Sequence, residues 1–142
     1  MDTTKPSRPA VLCVEDDPEY QELLSAILAG ICDLTICTNV EESREMIQPG
    51  RFALIISDIN LIGLTGFSTL DFVKQAGLAE TCPVILCSGQ SDPETRRRAM
   101  DAGAAGFMRK PFDSDAMVRL VADMLKCQPD LGGNRPGPAP GT

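Results

Sequence analysis

The chain has 142 residues, 43% of them hydrophobic and 23% charged, which suits one globular domain and is too apolar for wholesale disorder. A formal net charge of −7 argues against nucleic-acid binding as the main activity, and no apolar run approaches the ~20 residues of a bilayer span. Histidine is absent, which excludes every mechanism that needs an imidazole base, ligand or phosphocarrier within the chain.

In chain order, residues 1–8 have no hydrophobic stretch of signal-peptide type, so they read as a disordered start to a cytoplasmic protein. Ala10 to Val14 is a uniformly apolar run of strand length. Tyr20, Leu23, Leu24, Ile27 and Leu28 then share one face at helical spacing. Leu34 to Cys37 alternates and predicts a second strand, and Ala53 to Ile56 and Pro83 to Cys87 are two further apolar runs. Asp92-Pro93 supplies a capping acid and a first-turn proline for a helix that Gly103 would stop. Ala105 to Met108 is a weaker strand, and Met117, Leu120, Val121, Met124 and Leu125 mark a last amphipathic helix. Runs this apolar predict strands buried on both faces, so the expected architecture is a (βα)5 doubly wound α/β domain over residues 9–126, with a five-stranded parallel sheet. Residues 127–142 are Pro/Gly-rich and read as a disordered tail or a truncated interdomain linker. Cys13, Cys32, Cys37, Cys82, Cys87 and Cys127 form no CxxC pair and read as small buried hydrophobes in a reducing compartment.

Ligands of an open parallel sheet bind beyond the carboxyl ends of its strands. There the first strand delivers Glu15-Asp16-Asp17, the third Ser57-Asp58, the fourth Ser88-Gly89 and the fifth Arg109-Lys110-Pro111. Two carboxylates about 4 Å apart repel by roughly 4 kcal/mol at an effective dielectric near 20, so such a cluster takes up protons or binds a cation. Oxygen ligands without imidazole or thiolate favour a hard ion, and an open, hydrated site suggests magnesium.

These segments resemble the receiver domain of two-component response regulators. Val11 to Pro18 is similar to that family's first strand and acidic pair, and Ala53 to Gly66 to its phosphoacceptor strand and loop. Pro83 to Gly89 is similar to its hydroxyl strand, and Gly103 to Phe112 to its switch-aromatic and lysine segment. Asp16, Asp58, Ser88 and Lys110 stand in register, separated by 42, 30 and 22 positions. The resemblance implies a flavodoxin-like strand order 2-1-3-4-5 and Asp58 as the phosphoacceptor. It also implies Mg²⁺ (or Mn²⁺ as a substitute) held by Glu15, Asp16, Asp58 and the backbone carbonyl of Asn60. Lys110, Ser88 and Gly89 would contact the phosphoryl group, Phe107 would be the switch aromatic, and Asn60 and Gln90 would tune phosphoryl lifetime. The donor would be a histidine kinase or a histidine phosphotransfer protein. The output would pass through the surface of the fourth helix, fifth strand and fifth helix to a downstream protein or a linked output domain. A monomer or a phosphorylation-dependent dimer is implied, with no direct nucleic-acid contact and no membrane insertion. The domain would be regulatory, promoting only its own Mg²⁺-dependent phosphorylation and dephosphorylation.

Plainer readings stand beside these. Asp17 suits a helix cap before Pro18 better than a metal ligand, Phe107 is also compatible with plain core, and Arg96-Arg97-Arg98 suits a solvated helix face. Ile62 and Thr65 depart from the family's usual Pro and Asp, so the loop after Asp58 could be set differently. A degenerate receiver acting as a constitutive docking module is the competing function, against which the intact acidic, hydroxyl and lysine positions count. A haloacid-dehalogenase-type phosphohydrolase would need a second acid where Asn60 stands. A flavodoxin would need a phosphate cradle where Glu15-Asp16-Asp17 would repel one, and neither GxGxxG nor GxxxxGK[ST] occurs.

Overall fold

The computed structural model describes residues 8–61, 65–89 and 93–126. Five strands and five helices alternate: β1 (Ala10–Val14), α1 (Pro18–Leu28), β2 (Asp33–Cys37), α2 (Val40–Met46), β3 (Leu54–Asp58), α3 (Gly66–Gln75), β4 (Val84–Ser88), α4 (Pro93–Asp101), β5 (Gly106–Arg109) and α5 (Ser114–Lys126). The strands pair in parallel in the order β2-β1-β3-β4-β5.

Side chains alternate across each strand, and both faces are covered, which is why the strands read as unbroken apolar runs. On one face Leu12, Val14, Ile55 and Leu86 pack with Val40 of α2, Leu70 and Val73 of α3 and Ala99 of α4. On the other, Val11, Cys13, Ile56, Ile85 and Cys87 meet Leu24 and Leu28 of α1 and Met117 and Val121 of α5. The expected face of α1 is thus the buried one, with Leu24 and Leu28 at its centre.

Three strands sit later than their apolar runs. β3, β4 and β5 begin after Ala53, Pro83 and Ala105 and extend to the polar residues Asp58, Ser88 and Arg109. The ladder causes this, because backbone pairing continues past the last apolar side chain: Ile59 N–H donates to Cys87 O at 2.7 Å and Lys110 N–H to Ser88 O at 2.8 Å.

Helix starts follow local chemistry. Asp17 caps α1, accepting from Glu19 N–H at 2.9 Å, with Pro18 in the first turn. Thr65 caps α3, its hydroxyl accepting from Phe67 N–H at 3.2 Å. Gly103 follows α4 at φ +107°, a conformation that favours glycine. Asp92, Gln90, Ile62, Cys127 and the segments 1–7 and 127–142 lie outside the described residues. The five described cysteines are free and buried. Burial pushes their thiols up, to about 11 for Cys32 and Cys37 and about 12 for Cys82 and Cys87, so they are inert hydrophobes. Among the described residues no helix is long and apolar enough to cross a membrane.

Candidate functional site

Because all five strands run the same way, the sheet register alone gathers the polar residues at one edge. Val14 pairs with Ser57, Asp58 with Cys87 and Ser88 with Arg109, so Glu15, Asp58, Ser88 and Lys110 fall in adjacent rows at the strand ends. Glu15 and Asp58 are buried (2% and 6% exposed), and Asp16 is half-buried. One carboxylate oxygen from each of the three lies within 4.8 Å of the others.

Lys110 bridges the first two. Its Nζ donates to Glu15 Oε1 at 2.7 Å and to Asp58 Oδ2 at 2.8 Å. The other oxygens are held by backbone, Asp58 Oδ1 by Asn60 N–H at 3.0 Å and Glu15 Oε2 by Asp17 N–H at 3.1 Å. Gln21 Nε2 donates to Glu15 O at 2.7 Å, fixing the turn between β1 and α1. Burial pushes the Glu15 carboxyl above its ordinary value, against the opposing hydrogen bonds from Lys110 and Asp17, and the charge on Asp58 adds to the rise. Burial alone would lower Lys110, yet its hydrogen bonds to Asp58 and Glu15 outweigh that and hold it up at about 12.

The three acids and one ammonium carry a formal excess of two negative charges within a few ångströms. An octahedral ion with ligands at about 2.1 Å spans about 4.2 Å across, so oxygens up to 4.8 Å apart close on it with small shifts. The residues present therefore fit a hard divalent cation.

Around this centre Ser88 Oγ donates to Asn60 Oδ1 at 3.1 Å, and a Cβ built on Gly89 would meet nothing within 4 Å. An open cavity of about 310 Å³ over Asp58 is lined by Asp17, Tyr20, Asn60, Gly89, Lys110 and Pro111. Phe107 is half-buried on β5 and packed against the α2–α3–α4 side of the core. Asp17 serves as the α1 cap, as its place before Pro18 predicts. The described arginines Arg96, Arg97 and Arg98 are exposed, Arg97 pairing with Glu94 at 3.3 Å and Arg98 lying over the Phe67 ring at 4.9 Å.

Two residues that sequence reasoning did not single out complete the site. Tyr20 presents its ring to Lys110, with Nζ 4.0 Å from the centroid. Its signal in the sequence is faint, an aromatic three residues after the cap on a face that reads as core. Gly66 opens α3 so close to the end of β3 that a Cβ there would lie 2.5 Å from Asp58 O. Nothing local in the sequence marks that approach.

Chemically, the arrangement offers a carboxylate with both oxygens held, an adjacent ammonium, carboxylates that fit a cation, and open space above them. The sequence profile of the response regulator receiver domain matches residues 11–122. The chain is 31% identical to the response regulator protein PilR of Pseudomonas aeruginosa over 121 residues, covering 84% of this chain and 27% of PilR. It is 26% identical to response regulator Rre1 of Synechocystis, covering 84% of this chain and 52% of that one. It thus spans about a quarter to a half of these two relatives. Among solved structures, a signal receiver domain of Vibrio parahaemolyticus superposes with a TM-score of 0.77 at 26% identity, covering 84% of this chain and 91% of that one. The chemotaxis response regulator CheY4 of Vibrio cholerae shares the fold with a TM-score of 0.76 at 24% identity, over 84% of this chain and all (100%) of that one.

Proposed function

The chain belongs to the response regulator receiver domain family, a family of regulatory domains, and on that premise we propose that it is a phosphorylation-driven switch whose phosphoacceptor is Asp58. The observation that carries this reading is the pair of contacts on Asp58, a lysine ammonium on Oδ2 and a backbone N–H on Oδ1, beneath an open cavity. A carboxylate so held is oriented as a nucleophile, and the Lys110 ammonium beside it offsets charge on an incoming phosphoryl group.

The donor is a phosphohistidine of a partner kinase or phosphotransfer protein, or a small acyl phosphate, since this chain has no histidine of its own. A carboxylate oxygen of Asp58 forms a bond to phosphorus as the donor's bond to phosphorus breaks. Lys110 keeps Glu15 and transfers its other hydrogen bond from Asp58 to a phosphoryl oxygen. Ser88, released from Asn60, donates to the phosphoryl group in the space that Gly89 leaves open, and Phe107 turns inward behind it. The repacked surface of α4, β5 and α5 is what a downstream protein or linked output domain reads. Glu15, Asp16, Asp58 and the Asn60 carbonyl would hold Mg²⁺, which when bound offsets charge on the transferring phosphoryl oxygens. Asn60 and Gln90 tune how long the phosphoryl group persists.

Intact-mass spectrometry after incubation with acetyl phosphate tests this, with and without Mg²⁺, on wild type and Asp58→Asn. One phosphoryl adduct that needs both Mg²⁺ and Asp58 is expected. If no adduct forms and beryllium fluoride also fails to bind, the chain is a constitutive docking module and the switch reading fails.

A further inference from the structure

We propose that Tyr20 is a positioning residue for phosphoryl transfer, acting through Lys110; this rests on the reading of Asp58 as phosphoacceptor. An ammonium has three N–H donors. Two of those on Lys110 go to Glu15 and Asp58, and the face of the Tyr20 ring lies 4.0 Å from the same nitrogen. The negative face of an aromatic ring attracts a cation at that distance, more strongly where water is excluded. The ring is itself fixed from two sides. Tyr20 lies in the first turn of α1, three residues beyond the Asp17 cap, and its ring meets Phe112 at 5.5 Å between centroids, tilted by 51°. It also lines the cavity above Asp58, beside the place the phosphoryl group must enter.

Transfer from acetyl phosphate forms a bond between an Asp58 oxygen and phosphorus while the phosphorus–oxygen bond to acetate breaks, acetate leaving with the electron pair. No proton moves, so the task of Lys110 is to follow the charge from the carboxylate to a phosphoryl oxygen. A ring face suits that task because its attraction is not tied to one acceptor direction. It holds the ammonium over the site as one hydrogen bond is exchanged for another, and its apolar body keeps water from that side. Without the ring the lysine retains Glu15 but gains freedom to swing toward solvent.

The test is a time course of intact mass on the full chain with acetyl phosphate and Mg²⁺, comparing wild type with Tyr20→Phe, Tyr20→Leu and Tyr20→Met. The Phe variant keeps the ring and should label within about two-fold of wild type. The two aliphatic variants should label about five-fold more slowly, the factor equivalent to about 1 kcal/mol of cation–ring attraction. Proton NMR supplies a readout that a packing role would not move: the Lys110 ε-methylene protons should be shifted upfield by the ring in wild type and Tyr20→Phe, and not in the aliphatic variants. Aliphatic variants that label as fast as wild type overturn the inference alone, as does a Phe variant as slow as they are, since the hydroxyl would then be the active group. A wild type that takes no phosphoryl group overturns the phosphoacceptor reading itself, and this inference with it.

Discussion

Asp58→Asn should leave the metal-free protein as stable as wild type or slightly more so, although it removes a buried ion-pair partner. The charges near Asp58 decide the sign. At an effective dielectric near 20, the attraction to Lys110 at 2.8 Å is worth about 6 kcal/mol. Repulsion from Glu15 and Asp16, each with an oxygen within 4.8 Å, is about 3.5 kcal/mol or more apiece, about 7 together. The two nearly cancel, with a relief of about 1 kcal/mol on neutralisation. Lys110 is not stranded, because Glu15 remains 2.7 Å away, so the large penalty for an uncompensated buried charge does not arise. The amide oxygen can still accept from Asn60 N–H, as Asp58 Oδ1 does now. Thermal unfolding followed by circular dichroism in EDTA should place the variant between equality and a gain of about 3 °C. Added Mg²⁺ should reverse the ranking, since binding to the native site at ten times the dissociation constant stabilises wild type by about 1.4 kcal/mol. A loss of more than about 2 kcal/mol in EDTA would refute the electrostatic accounting and make Asp58 a structural acid.

Gly66→Ala should be destabilising by about 1–3 kcal/mol, because the added Cβ would lie 2.5 Å from Asp58 O and 3.0 Å from Ile59 Cα, both backbone; urea unfolding with unchanged stability would show that the helix start yields freely. For Lys110→Met, the sign follows from a folded-state value raised from 10.5 to about 12. The stabilisation from Lys110 is full below pH 10.5 and fades as pH rises through about 12, so the gap in unfolding free energy between wild type and variant should narrow over that interval. Curves that run parallel to pH 12 would contradict it. The five buried cysteines have thiols held above their ordinary value, so at pH 8 a thiol reagent should modify no more than one cysteine per native chain and all six in urea. Two or more reacting in the native protein would mean that a core face opens readily.

The sequence by itself determined the fold class and the chemical centre, for one physical reason. A strand buried on both faces must be apolar along its whole length, so its first polar residues mark its end, and in a parallel sheet all such ends lie on one edge. Glu15, Asp16, Asp58, Ser88 and Lys110 were legible on that ground, and their spacing matched a known family. The strand limits were not, because hydrogen bonding carries β3, β4 and β5 one or two residues beyond the last apolar side chain. Neither α2 nor α3 had been singled out. Seven-residue α2 fully buries only Val40 and Ser43, with Met46 packed at the core's edge, too short a stretch to show a period, and α3 buries Gly66 and Thr69 alongside Leu70 and Val73. Tertiary structure alone decided which contacts each site residue makes. That Lys110 spans 95 positions to reach Glu15 and 52 to reach Asp58 could be anticipated, but not that Tyr20 would lie under its ammonium. Nor could the need for glycine at position 66 be read locally, since the atom that forbids a side chain there belongs to the backbone of Asp58. Such constraints come from distances between elements, and those exist only once the helices have packed on the sheet.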